Sequence, residues 1–310
     1  MFTKKLGLTA GSVLTMVALL AGCGSANSSS SGGTGSSNGT TAGSNTGAPA
    51  TTGSKTVNIG YITWDEDVAA TYLWKNLLEQ KGYTVNLQQL EPGMLFAGLS
   101  KNNLNLFFDT WLPVTHKQYM DRYGADLTNL GQWYDGKTQE GFVVPTYMKN
   151  VNSISDLSKI SNQIQGKITG IEAGAGETGA AQQALKTYNL PETLQTSSTP
   201  AMLTALQKAY EQKQPIVVTL WSPHWAFAKY DLKYLKDPKA AFGTGEHIQT
   251  EANKDWASSN PTVAGWIKKF KLNQSQLGTL EEDINQASSK DAGVQKWIKD
   301  NQTLVNSWLS

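Results

Sequence analysis

Three short stretches of this chain carry side chains suited to holding a cation. They read Trp64-Asp65-Glu66-Asp67, Asp109-Thr110-Trp111-Leu112-Pro113-Val114-Thr115-His116 and Trp221-Ser222-Pro223-His224-Trp225. Each follows a run that reads as a buried strand, at 57–63, 104–108 and 216–220. Trp64, Trp111 and Trp221 are therefore each expected immediately beyond a strand. Loops at the C-terminal ends of such strands are where α/β proteins bind ligands. Pro113 fits this reading, because it has no N–H with which to extend a ladder. A cation over an indole face gains about 0.5–2 kcal/mol, and a quaternary ammonium, having no N–H of its own, is held by aromatic faces. A single tryptophan is ordinarily a packing residue, but three in equivalent positions point to one shared cationic ligand. Trp74 and Trp225 read as packing residues. Trp133, Trp256, Trp266, Trp297 and Trp308 read as structural or surface residues.

A zwitterionic ligand needs its anionic end held as well. The chain has three histidines. His116 closes the tight loop after Trp111, and an imidazole N–H is a suitable donor to a carboxylate. His224 follows Pro223 and is expected to orient its own loop instead. The glycine-rich run Glu172-Ala173-Gly174-Ala175-Gly176-Glu177-Thr178-Gly179 lies between a strand and a helix, where backbone N–H groups bind anions. It is neither a dinucleotide fingerprint nor a Walker loop, so a carboxylate is a better guest than a nucleotide. No cofactor is implied. Metal is not expected, because the chain lacks an HExxH helix or a cysteine cluster. No catalytic residue is assigned, because no GxSxG elbow is present and Ser222 and His224 are too close in one loop to be given nucleophile and base roles. A formal net charge of +1 argues against a nucleic-acid partner.

The elements that must position these residues alternate. Strand 57–63, helix 67–80, strand 83–90, helix 92–101 and strand 104–108 form a β-α-β-α-β unit, which favours a doubly wound sheet. In the first helix Val68, Tyr72, Leu73, Leu77 and Leu78 fall at near-helical spacing, and Lys81-Gly82 ends it. A helix at 116–123 and a polar loop containing Gly124 and Gly131 precede a strand at 141–147, after which the chain is expected to leave the first lobe. A second unit follows: strand 167–171, helices 180–188 and 200–211, and strand 216–220. Segment 246–250 reads as the crossing back, and 256–270, 274–287 and 291–308 as closing helices. The expectation is α/β: one lobe from 55–146 plus 247–310, the other from 147–246, and a ligand cleft between them that closes by hinge motion.

The N-terminal 54 residues have a different character. Residues 1–22 read as a signal peptide, with Lys4 and Lys5 before an apolar core. It ends in Leu20-Ala21-Gly22-Cys23, the pattern of a bacterial lipobox. Cys23 is the only cysteine, so it has no disulfide partner within the chain and is expected to carry lipid. The apolar run is shorter than the ~20 residues a membrane span needs. From Cys23 to residue 54 the chain is almost wholly Ser, Gly, Thr, Asn and Ala, the composition of a flexible linker.

Taken in order, Trp64-Asp65-x-Asp67-Val68-Ala69, Thr110-Trp111-Leu112-Pro113-x-Thr115-His116, Gly141-Phe142-Val143-Val144-Pro145-x-Tyr147-Met148, Gly170-Ile171-Glu172-x-Gly174-Ala175-Gly176 and Trp221-Ser222-Pro223-His224-Trp225 resemble the glycine betaine-binding lipoproteins of ABC importers, OpuAC-like. Lys229-Tyr230-Asp231-Leu232-Lys233-Tyr234-Leu235-x-Asp237-Pro238-Lys239 also matches, and the resemblance covers nearly all of 55–310. It implies a two-lobed, type II periplasmic-binding-protein-like fold, and a non-enzymatic receptor that delivers compatible solutes to an ABC permease from the outer face of the membrane. It implies that Trp64, Trp111 and Trp221 enclose a trimethylammonium head. It further implies that His116 and the backbone amides of Gly176 and Glu177 meet the ligand carboxylate. Where the family often has Pro and an apolar residue in the glycine-rich loop, this chain has Ala173 and Glu177, and a charged Glu177 would repel an anionic group. Some family members are circularly permuted; here the Trp64 lobe comes first. Alternative guests are choline, carnitine or another amine, and the alternative class is an exported hydrolase.

Overall fold

The computed structural model describes residues 55–310. The signal segment, Cys23 and the linker lie outside the described residues. Twelve strands are described in chain order: β1 Thr56–Tyr61, β2 Thr84–Gln89, β3 Leu106–Leu112, β4 Leu127–Gln132, β5 Tyr134–Asp135, β6 Gln139–Pro145, β7 Lys167–Thr169, β8 Thr193–Gln195, β9 Val218–Ser222, β10 Leu232–Tyr234, β11 His247–Asn253 and β12 Leu272–Asn273. Ten of them form two five-stranded sheets. The first runs β2-β1-β3-β11-β4 and the second β10-β6-β9-β7-β8, while β12 and β5 make a short separate pair.

The two sheets share one plan. In the first, β1, β2 and β3 are parallel, and β11 enters antiparallel between β3 and β4 after the return crossing. In the second, β7, β8 and β9 are parallel, and β6 enters antiparallel beside β9 directly after the outward crossing. Each crossing thus ends in a strand stitched into the sheet it reaches.

Three expectations need correction. The strand Gln139–Pro145 pairs with β9 and β10, so the chain reaches the second sheet between Gln132 and Gln139, ahead of the expected boundary at 146. The supposed polar loop before it contains β4, whose side chains alternate too weakly to announce a strand; its partner is β11, over a hundred residues away. The segment expected only as a crossing at 246–250 is the start of β11, buried in the middle of the first sheet.

Helix Asp65–Gln80 follows β1 and buries Ala69, Ala70, Leu73, Trp74, Leu77 and Leu78 against that sheet. Trp74 stacks on Phe108 at 6.1 Å and meets Phe270 edge-on at 5.6 Å, while Trp308 closes the cluster from the C-terminal helix. The closing segments end sooner than periodicity suggests. Asn260 with Pro261 divides Lys254–Ser259 from Pro261–Lys268, and Asn301 divides Lys290–Asp300 from Gln302–Trp308. Among the described residues no helix is long and apolar enough to cross a membrane.

Candidate functional site

The tryptophans sit slightly differently from the expectation. Trp111 and Trp221 are the penultimate residues of β3 and β9, still paired with Ile248 and Glu140, rather than beyond the strands. Their β-favouring rings let both ladders run further than the apolar runs alone indicate. Trp64 lies three residues past β1, at the N-cap of helix Asp65–Gln80.

All three nonetheless meet at one small cavity between the sheets. Its empty space, counted together with the solvent at its mouth, comes to about 250 Å³, and its walls include Trp64, Trp111, Trp221, His116, Gly176 and Glu177. Trp64 and Trp221 approach with ring centroids 6.5 Å apart at 69°, so their faces form a corner. Each indole N–H is held by a carboxylate. Trp64 Nε1 donates to Glu172 (3.2 Å), Trp111 Nε1 to Asp109 (2.8 Å) and Trp221 Nε1 to Glu66 (2.8 Å). Each bond occupies an indole N–H, so that what the ring still has to offer a cation is its face.

His116 is fully buried and lies 5.5 Å from Trp64 in a stacked arrangement. Its Nδ1 accepts from the backbone N–H of Trp111 at 2.9 Å, which puts the ring proton on Nε2. That Nε2 has no hydrogen-bond partner among the described residues. Burial pushes the imidazole down to about 3, so it is a neutral donor at ordinary pH. A buried N–H without an acceptor costs stability, and at a cavity wall it is poised for an acceptor that a guest brings.

The glycine-rich loop becomes the first turn of helix Gly176–Thr187, whose N-cap, Ala175, has no polar side chain to cap it. The amides of Gly176 and Glu177 have no acceptor within the helix and lie at the cavity. Gly176 must be glycine in this arrangement, because a Cβ there would overlap the carbonyl of Thr115 in the loop opposite. Glu177 departs from the expected repulsion: burial first, and then the Glu140 charge, hold its pKa well above the usual carboxylate range. A shift in that direction favours the uncharged form, which lessens the repulsion of a carboxylate.

The cavity is also rich in acids that the sequence reading left out. Glu66 and Glu140 line it together with Thr115, Ile171 and Ala175. Burial is the main cause of their raised pKa values: Glu66 lies well above the usual carboxylate range, with Asp109 adding to the rise, and Glu140 reaches about 8, with Glu246 adding. Glu66 stands two residues after Trp64, and that proximity is a signal in the sequence; Glu140 gives none. His224 accepts from the amide of Ala226 through Nδ1 and so orients its loop as expected, but its Nε2 also lies 3.0 Å from Asp65 of the other lobe.

A family profile described as the substrate-binding domain of ABC-type glycine betaine transport systems matches residues 55–300. The chain belongs to this OpuAC family. Lactococcal OpuAC, in its closed-liganded conformation complexed with glycine betaine, superposes with a TM-score of 0.76 at 36% identity, over 82% of this chain and 99% of that one. The glycine betaine/carnitine transport binding protein of Listeria monocytogenes is 41% identical over 152 residues, which is 48% of this chain and 51% of the Listeria protein. The match therefore spans about half of that relative's length. The glycine betaine/proline betaine-binding periplasmic protein of Escherichia coli is 22% identical over 82% of this chain and 89% of its own. OpuAC members are substrate-binding proteins rather than enzymes, and the expected two-lobed α/β fold is the one found.

Proposed function

We propose that this chain captures glycine betaine or a related quaternary-ammonium solute outside the cytoplasm and delivers it to an ABC permease. The observation that carries the reading is one cavity lined by three tryptophans and by His116, whose Nε2–H has no partner among the described residues. The indoles take the trimethylammonium group, which offers no hydrogen bond. His116 and the amides of Gly176 and Glu177 take the carboxylate. Relatives named for glycine betaine binding support this choice of ligand. Calorimetry against glycine betaine, carnitine and choline tests it: betaine should bind at least tenfold tighter than choline, a difference of about 1.4 kcal/mol, because choline ends in a neutral hydroxyl. Choline binding as tightly as betaine would sink the reading.

Anchoring belongs to the same proposal. Cys23 carries lipid, and the Ser/Gly/Thr-rich stretch from there to residue 54 joins it to the folded part. Cys23→Ala should release the protein from membranes with betaine affinity unchanged; continued sedimentation with membranes would remove lipidation as the anchor.

A further inference from the structure

Two of the three indole–carboxylate bonds cross the cleft, and they cross in opposite directions. Trp64 belongs to the first lobe and donates to Glu172, which lies between β7 and helix Gly176–Thr187 of the second. Trp221, at the end of β9 in the second lobe, donates to Glu66, in the first turn of helix Asp65–Gln80 of the first. The third bond, Trp111 to Asp109, stays within β3. Both crossing acceptors are buried, and Glu172 is fixed from behind by the amide and hydroxyl of Thr199 at 2.8 and 2.9 Å.

We propose that Glu66 and Glu172 are positioning residues which couple assembly of the cage to closure of the lobes. With the lobes apart, neither Trp64 nor Trp221 has its carboxylate partner and neither ring is held at its corner. With the lobes together, the same two bonds orient the rings and hold the lobes. A guest between the rings then stabilises the closed form, and the closed form fixes the rings that hold the guest. A single hydrogen bond, worth about 0.5–1.5 kcal/mol net, is strong enough to alter a rate by up to about tenfold. These bonds form after encounter, so their loss acts on ligand release rather than on capture.

The inference rests on the proposed function, because its test uses glycine betaine as the probe. Stopped-flow tryptophan fluorescence reads association and dissociation, and small-angle scattering reads contraction at saturating betaine. Glu172→Ala is expected to speed dissociation about tenfold, leave association within twofold and blunt the contraction. Glu172→Gln keeps an acceptor oxygen and should stay within threefold of the wild type. In a Trp64→Phe background, which retains a ring face but no N–H, Glu172→Ala should change dissociation less than twofold. Glu66→Ala should behave alike against Trp221→Phe. Asp109→Ala serves as the contrast, weakening binding while contraction remains complete. Equal effects of Glu172→Ala in both backgrounds, or a Gln variant no better than Ala, would overturn the coupling alone. A wild-type protein that binds no betaine would overturn the proposed function and this inference with it.

Discussion

At the scale of single residues the site divides its work by chemistry. Trp64, Trp111 and Trp221 offer faces, and His116 offers one proton. The tautomer of His116 is set by a backbone amide, not by a charged neighbour, so the proton stays on Nε2 across the working pH range. Replacing Trp111 by Ala removes a desolvated cation–π contact and should weaken betaine binding by at least ~1 kcal/mol, measured by calorimetry. His116→Ala removes a donor that serves only an anionic tail. It should narrow the betaine-to-choline affinity ratio, since choline loses little; an unchanged ratio would take His116 out of the site.

At the scale of elements, two glycines answer different questions. Gly176 begins a helix of the second lobe and faces the Thr115 carbonyl of the first. A methyl group there collides only when the lobes meet. Gly176→Ala should therefore lower betaine affinity more than tenfold, about 1.4 kcal/mol, while the melting temperature of the unliganded protein hardly moves. Gly293 lies where helix Lys290–Asp300 crosses helix Gln274–Gln286, and a Cβ there would come 2.6 Å from Ile284 Cα. Gly293→Ala should cost about 1–3 kcal/mol of folding stability through overpacking, read as a shifted urea midpoint. An unshifted midpoint in Gly293→Ala would mean that the two helices are not closely packed there, and unchanged affinity in Gly176→Ala would mean that the loops do not meet at Gly176.

At the scale of the whole molecule, burial acts on several carboxyls at once. Burial raises Asp109 to about 7, Glu140 to about 8 and Glu251 to about 7, against unfolded values near 4. Between pH 6.5 and 8.5 the unfolded chain has already released these protons, whereas the folded chain still holds part of them. The folded state binds more protons, so stability falls as pH rises through this window and levels off above it. His116 adds no slope there, being neutral folded and largely neutral unfolded above pH 6.5; it opposes stability only at lower pH. The unliganded protein should show a lower urea midpoint at pH 8.5 than at pH 6.5, and a midpoint that held or rose would contradict these protonation states.

The sequence by itself determined the alternation of strands and helices, the three tryptophans at strand ends, and the glycine-rich helix start. These are local patterns: a period of two or of 3.6, a proline that stops a ladder, a glycine where a turn begins. It did not reveal β4, or the insertion of β11 between β3 and β4, because both depend on pairing across more than a hundred residues. Nor did it reveal which carboxylate holds which indole. Glu172 lies 108 residues from Trp64, and Glu66 lies 155 from Trp221. No periodicity spans such distances. Only the closed arrangement of the two sheets brings these groups within bonding reach, and burial between the lobes is what raises the acids and leaves the Nε2 of His116 waiting for an acceptor.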